Sequence, residues 1–250
     1  MRNISVGIDR LVQPDWLETI AQMHMAGSSA KEIANGMHRL LEGKLSSGKG
    51  GRGSLEKTIT VLMRTWVTPP RELIPLRDDG VKLLQKLPRE LHPTLHWGML
   101  IAVYPFWGAV AETTGRLLKL QGKATMAQIV RRICEQLGDR QTVTRSAQRA
   151  VRSFVNWGTI VYTDRKGTYK SAAPQTINDP ALTTWLIEAV LRSTNKKSAP
   201  LRSIVNSYFI FPYKIKLEHL GNAGRGRLEY QRQGMDEDVV MLTDGGDKLK

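Results

Sequence analysis

The stretch from Leu95 to Val110 is the most hydrophobic in the chain: 16 residues interrupted only by His96, Pro105 and two glycines, and it dictates what the remainder must cover. A membrane span needs roughly 18 to 20 apolar residues, so a shorter run broken by histidine and proline reads as a buried core helix. Proline removes a backbone donor and clashes with the preceding turn. The spacing therefore predicts one long helix from about Thr94 to Leu120, kinked at Pro105, that serves as the spine of the core.

With 250 residues and 41% hydrophobic content, the chain can bury a substantial core around that spine as one elaborate domain or as two to three small ones. Composition divides it into residues 1–70, 71–175 and 176–250. The one cysteine, Cys134, excludes an intramolecular disulfide or a multi-cysteine zinc site, and its place among Ile129, Val130, Ile133 and Leu137 predicts a buried, inert thiol. The start MRNISVGIDRLVQPDW has neither an apolar central region nor a small-residue cleavage site, so a cytoplasmic location is expected. Membrane-surface binding is not favoured, because the basic residues are not gathered beside an apolar anchor.

Residues 14–67 read as helical. Pro14 starts a helix over Asp15 to Ala26, which Gly27 ends. Ser29 stands three residues before Glu32, a capping-box spacing, and Ile33, Met37, Leu40 and Leu41 form an apolar stripe over a second helix, Ala30 to Glu42. Gly43 to Gly53 holds five glycines and is expected to be mobile or ligand-ordered. Ser54 is expected to cap a third helix carrying Ile59, Leu62, Met63 and Trp66, which Pro69 and Pro70 end. The phrase AGSSAKEIA suits a DNA-binding helix-turn-helix and a structural helical hairpin equally, so Lys49 and Arg52 beside it are candidate phosphate contacts.

Beyond the spine, Thr125 is expected to cap a helix over Met126 to Leu137, closed by Gly138. A turn of Asp139, Arg140 and Gln141 leads into a helix from about Val143 to Trp157, stopped by Gly158. Thr159 to Thr163 and Thr168 to Ser171 alternate as strands around a hairpin turn at Asp164 to Gly167. The second of these helices has two unlike faces. Ala147, Ala150, Val151, Phe154 and Trp157 recur at spacings of three and four, while Arg145, Gln148, Arg149 and Arg152 fall on the other side.

Charge concentrates on this unit: residues 121–175 carry ten Lys and Arg against three Asp and Glu, half of the chain's net +14. A local surplus of cations on a small helical unit is the electrostatic footprint of a nucleic-acid contact surface. Arginine forks match guanine edges and phosphates, and glutamine matches adenine edges.

The order helix, helix, turn, helix and basic hairpin over residues 94–171 resembles a winged helix-turn-helix domain. The resemblance implies that Arg145, Gln148, Arg149 and Arg152 contact duplex DNA and that Arg165 and Lys166 lie on the wing; Arg140 in the preceding turn and Lys170 beside the wing are further candidate contacts. The whole order, an amino-terminal helical unit, a helical spine and a winged element, is also similar to BrxA-type proteins of bacterial BREX phage-defence systems. That similarity implies a place in a phage-defence or DNA-processing complex with protein partners.

The last segment is less legible. Pro180 and the stripe Leu182, Leu186, Ala189 and Val190 predict a helix; Tyr208 to Leu217 and Leu228 to Leu242 are strand-like, joined through Gly221, Gly224 and Gly226. The arginines of Gly224-Arg225-Gly226-Arg227 read as solvated, and the tail from Asp244 as frayed. No pattern for catalysis is complete. GKLSSGKG at Gly43 to Gly50 lacks the Ser or Thr of a phosphate loop and follows a helix where a strand is required; DVVMLTD near the end is a commonplace strand with a terminal acid. His92 and His96 have a zinc-ligand spacing but enclose no glutamate base.

The expectation is thus a mainly α protein with small β additions: an N-terminal three-helix unit, a central winged helix-turn-helix and a small C-terminal α+β element. It would bind double-stranded DNA without enzymatic activity, cofactor or metal. An adaptor for an acidic protein partner and an RNA-binding module are the alternatives, the latter disfavoured because Trp97, Phe106, Trp107, Phe154 and Trp157 occupy core-like positions.

Overall fold

Proline and capping residues set the helix starts of the amino-terminal unit. In the computed structural model, which describes residues 5–46, 53–216, 226–233 and 237–243, Pro14 opens α1 (Pro14–Met25). Ser29 and Glu32 cap α2 (Ala30–Leu41) reciprocally: the Glu32 N–H donates to Ser29 Oγ at 3.3 Å, and the Ser29 N–H to the Glu32 carboxylate at 2.8 Å. Of the expected stripe, Ile33, Met37 and Leu41 are buried, whereas Leu40 lies at the surface. The α3 helix (Ser54–Trp66) takes Gly53 as its N-cap, so Ser54 is its first residue rather than its cap. Most of the glycine-rich connector, residues 47–52, lies outside the described residues.

A further helix, α4 (Ile74–Lys86), has no counterpart in the sequence reading; its inward stripe of Leu76, Gly80 and Leu84 is too sparse to register as an apolar period. The expected kinked spine is two helices, α5 (His92–Val103) and α6 (Pro105–Gln121). The residue before a proline is pushed out of the helical region, and Tyr104 accordingly sits at φ −128° and ψ 81°, which breaks the helix completely.

The chain continues through β1 (Ala124–Thr125), α7 (Met126–Leu137), α8 (Gln141–Asn156), β2 (Ile160–Tyr162) and β3 (Thr168–Ser171). The three strands form an antiparallel sheet in the order β1-β3-β2, with Ala124 opposite Tyr169 and Tyr162 opposite Tyr169 from the other side. Next come β4 (Thr176–Ile177), α9 (Pro180–Ser193), β5 (Ser198–Pro200), α10 (Leu201–Val205), β6 (Lys214–Ile215), β7 (Leu228–Gln233) and β8 (Glu237–Leu242). Of the strand expected over Tyr208 to Leu217, Tyr208–Ile210 is a 3-10 turn and Lys214–Ile215 is β6, paired parallel to β4, while Leu217 lies outside the described residues; within Leu228 to Leu242, β7 and β8 pair antiparallel and β5 adds to β8. The fold is mainly helical with small sheets, and among the described residues no helix is long and apolar enough to cross a membrane.

Close approach of α9 and of the 3-10 turn at Tyr208–Ile210 to the spine requires glycine. A Cβ on Gly98 would stand 2.3 Å from the Trp185 ring, and one on Gly108 2.2 Å from the Phe209 ring. Trp185 is fixed in turn by its indole N–H, which donates to the Leu76 carbonyl at 2.8 Å, and Trp97 donates likewise to the Phe209 carbonyl at 3.0 Å. The C-terminal segment thus belongs to the same core as the spine. Arg227, expected to be solvated, instead clasps the buried Glu188 of α9 through Nε and Nη2 and reaches Asp79 of α4 through Nη1.

His92 and His96 share one carboxylate partner. Glu18 of α1 lies between them, 2.9 Å from His96 Nε2 and 3.0 Å from His92 Nδ1, and pins α1 to α5. The His96 hydrogen bond holds the Glu18 carboxyl down at about 2, against desolvation that pushes it up, while Gln22 and His92 add to the lowering. Burial pushes the His96 ring below its ordinary value, against the pull of Glu18.

Two stability outcomes follow from these contacts. Gly98→Ala should lower unfolding free energy by about 1 to 3 kcal/mol in denaturant titration, since the Trp185 ring cannot retreat without breaking its own hydrogen bond. A depressed carboxyl stabilises the fold above its usual 4.5 and loses that contribution as pH falls toward about 2; a depressed buried histidine loses its contribution as pH falls below 6.5. The thermal midpoint should therefore fall on acidification from pH 7 to pH 3, and less steeply in Glu18→Gln.

Candidate nucleic-acid interface

Helix α7 is held at its start by Thr125, whose Oγ1 accepts the Gln128 N–H at 3.2 Å while its own N–H donates to Gln128 Oε1 at 2.8 Å. It ends at Gly138, whose φ of +95° is a conformation that side chains resist, and this turns the chain through Asp139 into α8. The expected boundary shifts: α8 begins at Gln141 rather than Val143, with Arg140 as N-cap.

The inner face of α8 is fixed by Val143, Ala147, Ala150, Val151 and Phe154, all buried. Phe154 packs on Trp97 and Trp107 at centroid distances of 5.1 and 5.0 Å, and Trp157 packs on the same two rings at 5.4 and 5.8 Å. With that face committed, Arg145 and Arg152 stand exposed and Gln148 and Arg149 half-buried on the opposite side. Arg140 is exposed and caps α7, its Nη2 donating to the Leu137 carbonyl at 3.2 Å. Among the described residues no ion pair involves Arg145, Arg149 or Arg152, whereas the arginines of α7, Arg131 and Arg132, both meet Glu135.

The hairpin after α8 turns at Gly167, φ +71°, closed by Thr163 N–H to Thr168 carbonyl at 2.9 Å and Thr168 N–H to Arg165 carbonyl at 3.1 Å. Arg165 and Lys166 occupy the exposed turn, and Lys170 is exposed on β3 opposite Val161. Lys49 and Arg52 lie outside the described residues. Cys134 is half-buried rather than buried, with its thiol 3.4 Å from Thr144 Oγ1 across the α7–α8 packing.

Three residues absent from the sequence expectation join this surface. Tyr162, 57% exposed, lays its ring against Tyr169 at 5.3 Å. Burial first, then Tyr162, raises the Tyr169 hydroxyl, and the Arg152 charge opposes them, so the hairpin's aromatic pair and the helix's cationic face are neighbours. Arg10 comes from the segment before α1. That segment runs along α8, with the Val12 N–H donating to Ser153 Oγ and the Val12 carbonyl accepting from the Trp157 indole, both at 3.0 Å. Ile8, Arg10 and Val12 are all buried, so the inward positions of this segment recur at a period of two and include a cation, which the sequence pattern does not separate from a solvated one.

The electrostatics of Arg149 summarise the surface. Burial pushes its guanidinium below the ordinary value, Arg10, Arg152 and Arg145 push it further, and only Asp9 opposes them. Among the described residues no cluster of His, Cys, Asp and Glu could hold a metal ion. Family models, curated proteins and solved structures give no match to this chain.

Because Arg149 is half-buried among like charges, Arg149→Met should raise the thermal midpoint of the free protein at low salt, and the gain should shrink as salt screens the repulsion. A lowered midpoint at low salt would mean that the guanidinium is held by a favourable contact instead.

Proposed function

We propose that the protein is a non-enzymatic duplex DNA-binding protein, with α8 entering the major groove and the β2–β3 hairpin resting on the neighbouring backbone. The observation that carries this reading is the outward face of α8. Arg145, Gln148, Arg149 and Arg152 project from a helix whose other side is fully committed to the core, and none of its three arginines pairs with a carboxylate among the described residues. The order α6, β1, α7, α8, β2, β3 with sheet order β1-β3-β2 resembles a winged helix-turn-helix, which supports assigning α8 as the recognition helix and Asp164 to Gly167 as the wing. Membership in a phage-defence or other DNA-processing complex belongs to the same proposal.

Arginine is suited to both parts of this task. Its fork pairs bidentately with guanine edges and phosphates, and Gln148 can pair with adenine. At the hairpin the exposed Arg165, Lys166 and Lys170 supply charge without a rigid geometry, which fits backbone positioning better than base reading.

Duplex DNA titrated over a salt series tests the assignment. Arg145→Ala with Arg152→Ala should weaken binding by a few kcal/mol, each good contact being worth about 1 to 3, with circular dichroism unchanged because both side chains are exposed. Neutralising Arg165 and Lys166 should weaken binding to all duplexes alike and flatten the plot of log affinity against log salt by about 2 units. Wild-type affinity in both folded variants would overturn the reading. Binding to an acidic protein but not to DNA would favour an adaptor.

A further inference from the structure

We propose that Arg10, carried by the segment that precedes α1, combines with Arg149 of α8 to seat one backbone phosphate of duplex DNA. This rests on the assignment of α8 as the DNA-contacting helix and extends the contact surface to a part of the chain some 140 residues away from it.

The placement comes from hydrogen-bond direction. Val12 points its N–H at Ser153 and its carbonyl at Trp157, so the segment runs parallel to α8 and the residues before Val12 extend toward the helix's amino-terminal half. Two residues of extended chain span roughly 7 Å and four residues of helix roughly 6 Å. Arg10 is therefore carried back alongside Arg149, which stands one turn before Ser153. The arrangement is rigid at both ends: Val12 is fully buried, and the Ser153 hydroxyl also donates to the Arg149 carbonyl at 3.0 Å.

Arg10 already meets one carboxylate, but one of its guanidinium donors is left without a partner. The residue is only 8% exposed, yet its Nε has no hydrogen-bond partner. Its Nη1 donates to the carbonyl and carboxylate of Asp9, at 2.7 and 3.0 Å. Asp9 is itself half-exposed and is the sole ion-pair partner of Arg10 among the described residues. A second guanidinium, Arg149, shares the same ground with no ion pair of its own, and Arg152 and Arg145 add like charge. Burying a cation beside other cations costs free energy that packing alone does not require here, since an aliphatic side chain would fill the inward position between Ile8 and Val12. A phosphodiester supplies two acceptor oxygens and one negative charge, so it can pair with two neighbouring guanidinium groups at once. On binding it replaces Asp9 as the principal counter-charge.

The experiment measures duplex DNA binding over a salt series for wild type, Arg10→Gln, Arg10→Lys, Asp9→Asn and Arg145→Ala, with thermal unfolding of each. Arg10→Gln should weaken binding roughly tenfold and reduce the salt slope by about 0.9, the share of one phosphate. Arg10→Lys should keep the slope, and Asp9→Asn, which removes the competing carboxylate, should bind more tightly than wild type. Folded Arg10→Gln with wild-type affinity and slope overturns the seat, while weakening by Arg145→Ala in the same series leaves the DNA-binding reading standing. If Arg10→Gln fails to fold, unchanged affinity and slope in Asp9→Asn overturns the seat instead. Wild type that binds no duplex overturns both.

Discussion

The packing around Trp97 is the contact on which the rest of the molecule depends. Its indole meets Trp107 of α6, Phe154 and Trp157 at the end of α8, and Tyr213 just before β6, at centroid distances of 5.1 to 5.9 Å. One side chain thereby joins the spine, the basic helix and the C-terminal segment, and its N–H is satisfied by the Phe209 carbonyl. Aromatic rings bury large areas in preferred edge-to-face geometries, so such a cluster fixes the rotation of α8 about its axis as well as its position. The outward direction of the arginines is a consequence of that rotation.

Electrostatics work against this packing on the other side of α8. Arg149, Arg10, Arg152 and Arg145 gather where carboxylates are scarce, whereas Glu188, Asp79 and Glu135 neutralise arginines elsewhere in the chain. Like charges held together in the folded state have to be offset by stability elsewhere. Here the offset lies in the aromatic cluster and in the Glu18 hydrogen bonds to His92 and His96, which draw α1 onto α5 and with it the segment that carries Arg10.

Local chemistry was legible in the sequence wherever a residue acts on its own neighbours. Ser29 with Glu32, Thr125 with Gln128, Pro14, Gly138 and Gly167 mark helix and hairpin boundaries through bonds within a few residues, and those elements appear within one or two residues of expectation. Pro105 marks the interruption of the spine in the sequence, and the break is complete because the residue before the proline is constrained as well. Helix α4 was illegible, since its buried face is sparse among charged residues and gains meaning only against Trp185 and Trp66, between whose rings Gly80 fits. The candidate surface was legible on α8, where period and charge coincide within one helix, and illegible at Arg10 and Tyr162.

By itself the sequence determined a mainly helical chain with small strands, a hydrophobic spine interrupted at Pro105, and an amphipathic helix with arginines along one side, because periodicity, capping and proline effects act over a few residues. The tertiary structure alone decided which charges meet. Glu18 reaches His96 across 78 positions, Arg227 reaches Asp79 across 148, and Val12 binds Ser153 across 141. Such pairs are set by how elements distant in sequence pack against one another. No local pattern encodes them, since an arginine in an irregular segment reads the same whether it ends in solvent, in an ion pair or beside another arginine.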